Sequence, residues 1–280
     1  MPIKRKEKAD EEITNRRQNK KIKTLPNNNT TLNSFFILKK IPTKDRVKKV
    51  WDSLKEEEKF LLNEEFKQMH EEWLYLLRNE LKSPHYLNIK RKLIEREKKC
   101  IVLPPKEQRF RCFRTSPNDI SVIIVGQDPY PNDADGLAFS SKQIKPLLRK
   151  IFDLMEWDLK SKSWSRPKTG SLEKWSRDVL LLNSVLTVER GRSMSHTDLG
   201  WQKFTDTIIK IIGNKKGVVI ILWGKHAKEK SNLVKKGYVI KSGHPSPLNT
   251  YDRSFDNSRC FSMANEYLKK NNKKEIDWSL

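Results

Sequence analysis

The chain has 280 residues, 36% of them hydrophobic, with 58 Lys and Arg against 35 Asp and Glu for a net charge of +23. That length holds one large domain or two small ones, and that composition supports a core but not along the whole chain. A balance this basic points to nucleic acid, an anionic membrane surface or acidic proteins as partners. No apolar run approaches the roughly 20 residues that span a bilayer, no signal-peptide core follows Met1, and the three cysteines and five histidines are dispersed without metal-ligand spacing. The expectation is an intracellular, reduced protein with no membrane span, no structural zinc and no bound metal.

The first 40 residues carry 11 basic and 4 acidic side chains, a net of +7, which leaves +16 on the other 240. They lack a periodic apolar face, so residues 1–44 are expected to form a disordered basic tail ahead of a folded domain spanning residues 45–280. Lys4-Arg5-Lys6 and Arg16-Arg17 with Lys20-Lys21 have the layout of a bipartite nuclear-import signal, against the plainer reading of a solvated basic tail. Glu7, Asp10, Glu11 and Glu12 interrupt any basic amphipathic presequence. Asn29, Leu32, Phe35 and Phe36 then place three apolar groups where one short turn offers them to a partner's pocket, or folds them back on the domain.

Residues 46–97 read as helical, with Pro84 breaking the pattern. Beyond Leu103-Pro104-Pro105 the style changes. β-rich runs at Ser121–Val125, Val179–Leu182, Val218–Trp223 and Tyr238–Lys241 alternate with helical stretches near Leu147–Trp157, Lys203–Ile212 and Lys225–Lys235. Strand and helix in alternation predict an α/β fold, a parallel sheet with helices on both faces.

In an open parallel sheet the site lies outside the carboxyl ends of the strands. The four strands are followed by Gly126-Gln127-Asp128-Pro129-Tyr130, by Asn183, by Gly224-Lys225-His226, and by Gly243-His244-Pro245-Ser246-Pro247-Leu248. A single Asp, Asn or His after a strand is an ordinary turn, cap or surface residue. Three on one sheet edge point to a site. There is no phosphate-binding Gly-rich loop and no Ser or Cys elbow. Asp128, Asn183 and His244 with Tyr130 and Phe139 instead suit a flat polar ring. Phe139 stacks on it, Asn183 reads its hydrogen-bonding edge, and Asp128 and His244 act on the bond. Pro245-Ser246-Pro247 forms a stiff loop able to grip a phosphate, and Leu248 is an apolar tip suited to wedging between bases.

With Gly136-Leu137-Ala138-Phe139-Ser140, the run from Leu180 to Val188 and the Gly200-Trp201 pair, these motifs closely resemble family 1 uracil-DNA glycosylase. The resemblance runs from about Trp73 to Ile276-Asp277-Trp278. It implies a three-layer α/β/α fold around a central four-stranded parallel sheet, no cofactor, and hydrolytic removal of uracil from single- and double-stranded DNA that leaves an abasic site. It implies catalytic roles for Asp128, which orients water and stabilises a cationic sugar, and for His244, which hydrogen-bonds uracil O2. It assigns uracil binding to Gln127, Tyr130, Phe139 and Asn183, with Tyr130 blocking a 5-methyl group. It assigns DNA contacts to Ser246, Pro247, Leu248 and Asn249. The run Asn29–Phe36 resembles the sliding-clamp box of nuclear members, with Asn29 where Gln is usual. A monomer of the nuclear eukaryotic or large-DNA-virus type, acting near replication forks, follows, with a mitochondrial form left open.

Three departures stand out. Pro131 takes the place of a histidine after the Tyr, in a loop shortened by about two residues. Lys145-Pro146-Leu147-Leu148 lacks a phosphate-contacting Ser, for which Lys142 or Lys145 is the available substitute. Asn249 replaces a phosphate-binding Ser, with an amide that still donates. The competing reading is a replication accessory that keeps the fold and binds DNA with weak excision. Retention of Asp128, Asn183, His244, Tyr130 and Phe139 favours catalysis.

Overall fold

The structure is a computed structural model that describes residues 43–159 and 165–280. The tail motifs, both basic clusters and Asn29–Phe36 among them, lie outside the described residues.

The amino-terminal helices are α1 (Thr43–Asp52), α2 (Glu56–Gln68), α3 (Glu71–Leu76), α4 (Arg78–Leu81) and α5 (Pro84–Glu97). Glu56, Glu57 and Glu58 fill the first turn of α2, where the helix dipole favours negative charge. Pro84 both ends the preceding helical run and opens the next. It occupies the first turn of α5, where a missing N–H costs nothing, and the Ser83 hydroxyl caps Tyr86 N at 3.1 Å. The buried face of α5 carries Tyr86, whose ring packs on Trp201 and Phe204 at 6.1 and 4.7 Å between centroids. Its hydroxyl donates to the buried Glu65 carboxylate at 2.6 Å, which also pairs with Lys90 at 3.0 Å, so the charges that face inward are matched.

Four strands form the central sheet in the order β3–β2–β5–β6: β2 (Val122–Gly126), β3 (Val179–Asn183), β5 (Val219–Trp223) and β6 (Tyr238–Ser242). All three pairings are parallel. The first three strands are buried throughout, as their unbroken apolar runs require when helices cover both faces, while β6 is a half-exposed edge. The chain steps from β2 to β3 through α6 (Pro146–Leu159), then back across β2 to β5 through α7 (Trp201–Gly213). Right-handed crossovers in opposite directions put α6 and α7 on opposite faces. The short α8 (Gly224–Glu229) follows β5, and α9 (Cys260–Lys270) closes the α6 side, with Phe261 against Trp223 at 6.1 Å. The three-layer α/β/α architecture expected from the sequence is present.

Three details differ from the sequence reading. The helix expected over 225–235 ends at Glu229 and tightens into a 3₁₀ turn, Lys230–Leu233. Helix α9 was not among the expected elements. A second, two-stranded antiparallel sheet pairs β1 (Val102–Leu103) with β4 (Val188–Glu189), each too short to show a period in sequence.

Candidate active site

Strand order reverses between β2 and β5, so the crevice beyond their carboxyl ends is the topological switch point where ligands bind in such sheets. A cleft of about 580 Å³ opens there, lined among others by Gln127, Met194, Trp223, His244, Ser246 and Leu248. Asp128, Asn183 and Phe139 stand directly behind the lining, each touching a residue that forms it.

Asp128 leaves β2 half-buried. Its Oδ2 accepts hydrogen bonds from Ser193 Oγ at 3.0 Å and Met194 N at 2.7 Å. The loop that supplies them is tied to the Asp128 segment by Gly191 N, which donates to Pro131 O at 2.9 Å. Asn183, the last residue of β3, is 7% exposed and lies opposite Gly126 in register. A Cβ on Gly126 would meet Asn183 Oδ1 at 2.3 Å. The glycine before Gln127 is therefore the space into which the asparagine amide projects. Phe139 sits at φ +66°, a conformation that costs a residue with a side chain about 1 kcal/mol. Its ring meets Trp223 edge-on at 5.3 Å. The turn beneath it is organised by the buried Asp135, which accepts from Leu137 N, Ser140 Oγ and Arg111 Nη1. Tyr130 is half-buried with its hydroxyl turned inward, and burial, then nearby Asp133, push its phenol pKa up.

His244 Nδ1 lies 3.1 Å from Ser246 N. A backbone N–H can only donate, so Nδ1 is the acceptor and the ring proton sits on Nε2. Burial, and secondarily His226, lower its pKa, so the ring is neutral and presents an N–H. Gly224, at φ +81°, has room only for a hydrogen, because a Cβ there would lie 2.9 Å from His244 Cβ. Ser246 Oγ accepts from Leu248 N at 3.2 Å and keeps its own proton to donate. Leu248 is 89% and Tyr251 99% exposed, two large apolar groups at the tip of one loop.

The residues 113–269 match the family model described as the uracil DNA glycosylase superfamily. The uracil-DNA glycosylase of Exiguobacterium sibiricum is 38% identical over 222 residues, 76% of this chain and 100% of that protein. That of Escherichia fergusonii is 41% identical over 217 residues, 74% of this chain and 93% of that protein. The crystal structure of mimivirus uracil-DNA glycosylase superimposes with a TM-score of 0.70 at 26% identity, covering 78% of this chain and 89% of that one. The chain belongs to the uracil-DNA glycosylase superfamily. It is a monofunctional hydrolase that removes uracil from DNA, the opening step of base-excision repair.

The glycosylase fold brings Gln127, Asp128, Asn183, Phe139, His244, Ser246 and Leu248 to one end of one sheet. Two residues expected at the DNA have partners within the protein. Asn249 Nδ2 donates to His244 O at 3.1 Å and Asp252 O at 2.7 Å, so the amide braces the loop. Lys145 is paired with Asp133 at 2.8 Å. Sequence reasoning missed Ser193, Met194, Trp223 and Tyr251. Of these only Trp223 carried a signal, as the last apolar residue of a strand that ends at the site.

Proposed function

We propose that the cleft performs excision as follows. The target nucleotide leaves the stack. Its base enters beside Phe139, and the Asn183 amide pairs with the O4 and N3–H edge of uracil. Cytosine presents the reversed donor and acceptor there, and a buried polar pair left unmatched rejects it by roughly 10⁴-fold. Tyr130 fills the space a 5-methyl group needs, and Gln127 contributes its backbone. As the C1′–N1 bond breaks, its electron pair leaves with the base. The negative charge that develops on uracil O2 meets the His244 Nε2–H, which donates a hydrogen bond and keeps its proton. The Asp128 carboxylate faces the cationic sugar and the water that adds to C1′, and takes up the proton that water sheds. Ser246 and the backbone through Pro247 grip phosphates, and Leu248 fills the vacated stack.

The observation that carries this reading is the Ser246 N–H on His244 Nδ1, which leaves a neutral imidazole N–H facing the cleft. Asp128→Asn keeps the shape and removes the charge. Its single-turnover release of uracil from a uracil-containing oligonucleotide, read by alkaline cleavage of the abasic site, should fall at least ~100-fold. Wild-type turnover by that variant would overturn the assignment.

The same proposal extends to the amino-terminal segment: import into the nucleus through the two basic clusters, and docking on a replication sliding clamp through Asn29, Leu32, Phe35 and Phe36. It makes the enzyme a DNA-binding monomer, for which one chain supplies every proposed site residue, and one of the nuclear type.

A further inference from the structure

We infer that Ser193 is a positioning residue for excision: its hydroxyl, with the Met194 N–H, clasps Asp128 Oδ2 and orients the carboxylate so that Oδ1 serves the water and the sugar. This rests on the proposed role of Asp128. Both donors end on one oxygen, at 3.0 and 2.7 Å, and no hydrogen bond reaches Oδ1 among the described residues. Two donors on one oxygen stop the carboxylate from turning about Cβ–Cγ, and bonds to an ionised acceptor are the stronger kind.

The clasp is built rather than incidental. Met194 adopts φ +63°, a left-handed conformation that an unbranched residue holds only where its surroundings impose it. Here it aims the N–H at Asp128. The segment is fastened on both flanks: Glu189 N donates to Ser195 Oγ at 2.8 Å, and Thr197 Oγ1 donates to Met194 O at 3.1 Å. Gly191 N reaches back to Pro131 O at 2.9 Å, so the donors and the acid move together across some 65 residues of sequence. Ser193 is itself exposed and contributes nothing to the core. Its loss leaves no cavity, and a structural purpose for the bond is weak.

Excision by the full chain on a single-uracil oligonucleotide tests this, with Ser193→Ala, Ser193→Thr, Asp128→Asn and the Ser193→Ala, Asp128→Asn pair. Ser193→Ala should lower kcat roughly 5- to 20-fold with KM within about twofold, the pattern of a group acting only in the transition state. Ser193→Thr, which keeps the hydroxyl, should recover most of the rate, and thermal midpoints should stay level. On the Asp128→Asn background, Ser193→Ala should cost nothing further, because the charge that the clasp orients is gone. A Ser193→Ala kcat at the wild-type level, a rise in KM alone, or an undiminished loss on the Asp128→Asn background each overturns the inference. Wild-type turnover by Asp128→Asn instead takes down the role of Asp128 on which it stands.

Discussion

At the scale of single residues, the site depends on what is absent at glycines as much as on what side chains provide. Gly126 has no positive φ, so alanine is allowed there by the backbone, and the objection is purely steric. A Cβ 2.3 Å from Asn183 Oδ1 must displace the amide proposed to read the base. Gly126→Ala should therefore cost more than ~10-fold in excision while destabilising the fold by about 1–3 kcal/mol, the usual range for overpacking. Excision kinetics and a thermal melt on the same sample check both halves. Wild-type excision by Gly126→Ala would show that Asn183 does not read the base from this position. His244 follows the same logic on the other side of the cleft, where Gly224 leaves room for the imidazole.

At the scale of elements, the connection from β4 to α7 does more than cross the sheet. It carries the donors to Asp128 and is pinned by the fully buried His196. Trp201 Nε1 donates to Thr187 Oγ1 at 2.8 Å, and that hydroxyl shares a hydrogen bond with His196 Nδ1 at 2.9 Å. Burial pushes the ring's pKa down to about 4, so it is neutral near pH 7. An unfolded histidine titrates near 6.5. Between those values the unfolded chain binds the extra proton, so stability is complete above pH 6.5 and falls as the pH drops toward 4. The loss from this residue should be about 2 kcal/mol at pH 5. Urea titrations at pH 7 and pH 5 should show it in the wild type, and His196→Asn should flatten it. An equal pH dependence in both proteins would assign the effect elsewhere.

At the scale of the whole molecule, charge favours the DNA backbone and the tail is proposed to direct the chemistry to a place. The described domain carries most of the excess positive charge, which supplies affinity for the DNA backbone without regard to sequence. The tail is proposed to supply location. Phe35→Ala combined with Phe36→Ala should abolish binding to a purified sliding clamp in a pull-down and leave excision from free oligonucleotides unchanged. Clamp binding that persists in this variant would remove the box from the proposal.

The sequence by itself determined the strands, the motifs that end them and hence the side chains at the cleft. Each of those signals is local: an unbroken apolar run marks a buried strand, and the polar group that ends it marks the carboxyl edge. Asp128, Asn183 and His244 were legible for that reason. Only the tertiary structure decided what holds them. Ser193 is an exposed polar residue in a loop, like many others, until the fold carries it 65 residues back to Asp128. That Asn249 braces its own loop through two carbonyl partners is visible only in the fold. Glycine at 126 reads as a turn until Asn183 fills the space beside it. Contacts between distant segments leave no period or spacing in the chain, so their consequences for orientation, protonation and free donors exist only once the sheet has brought the segments together.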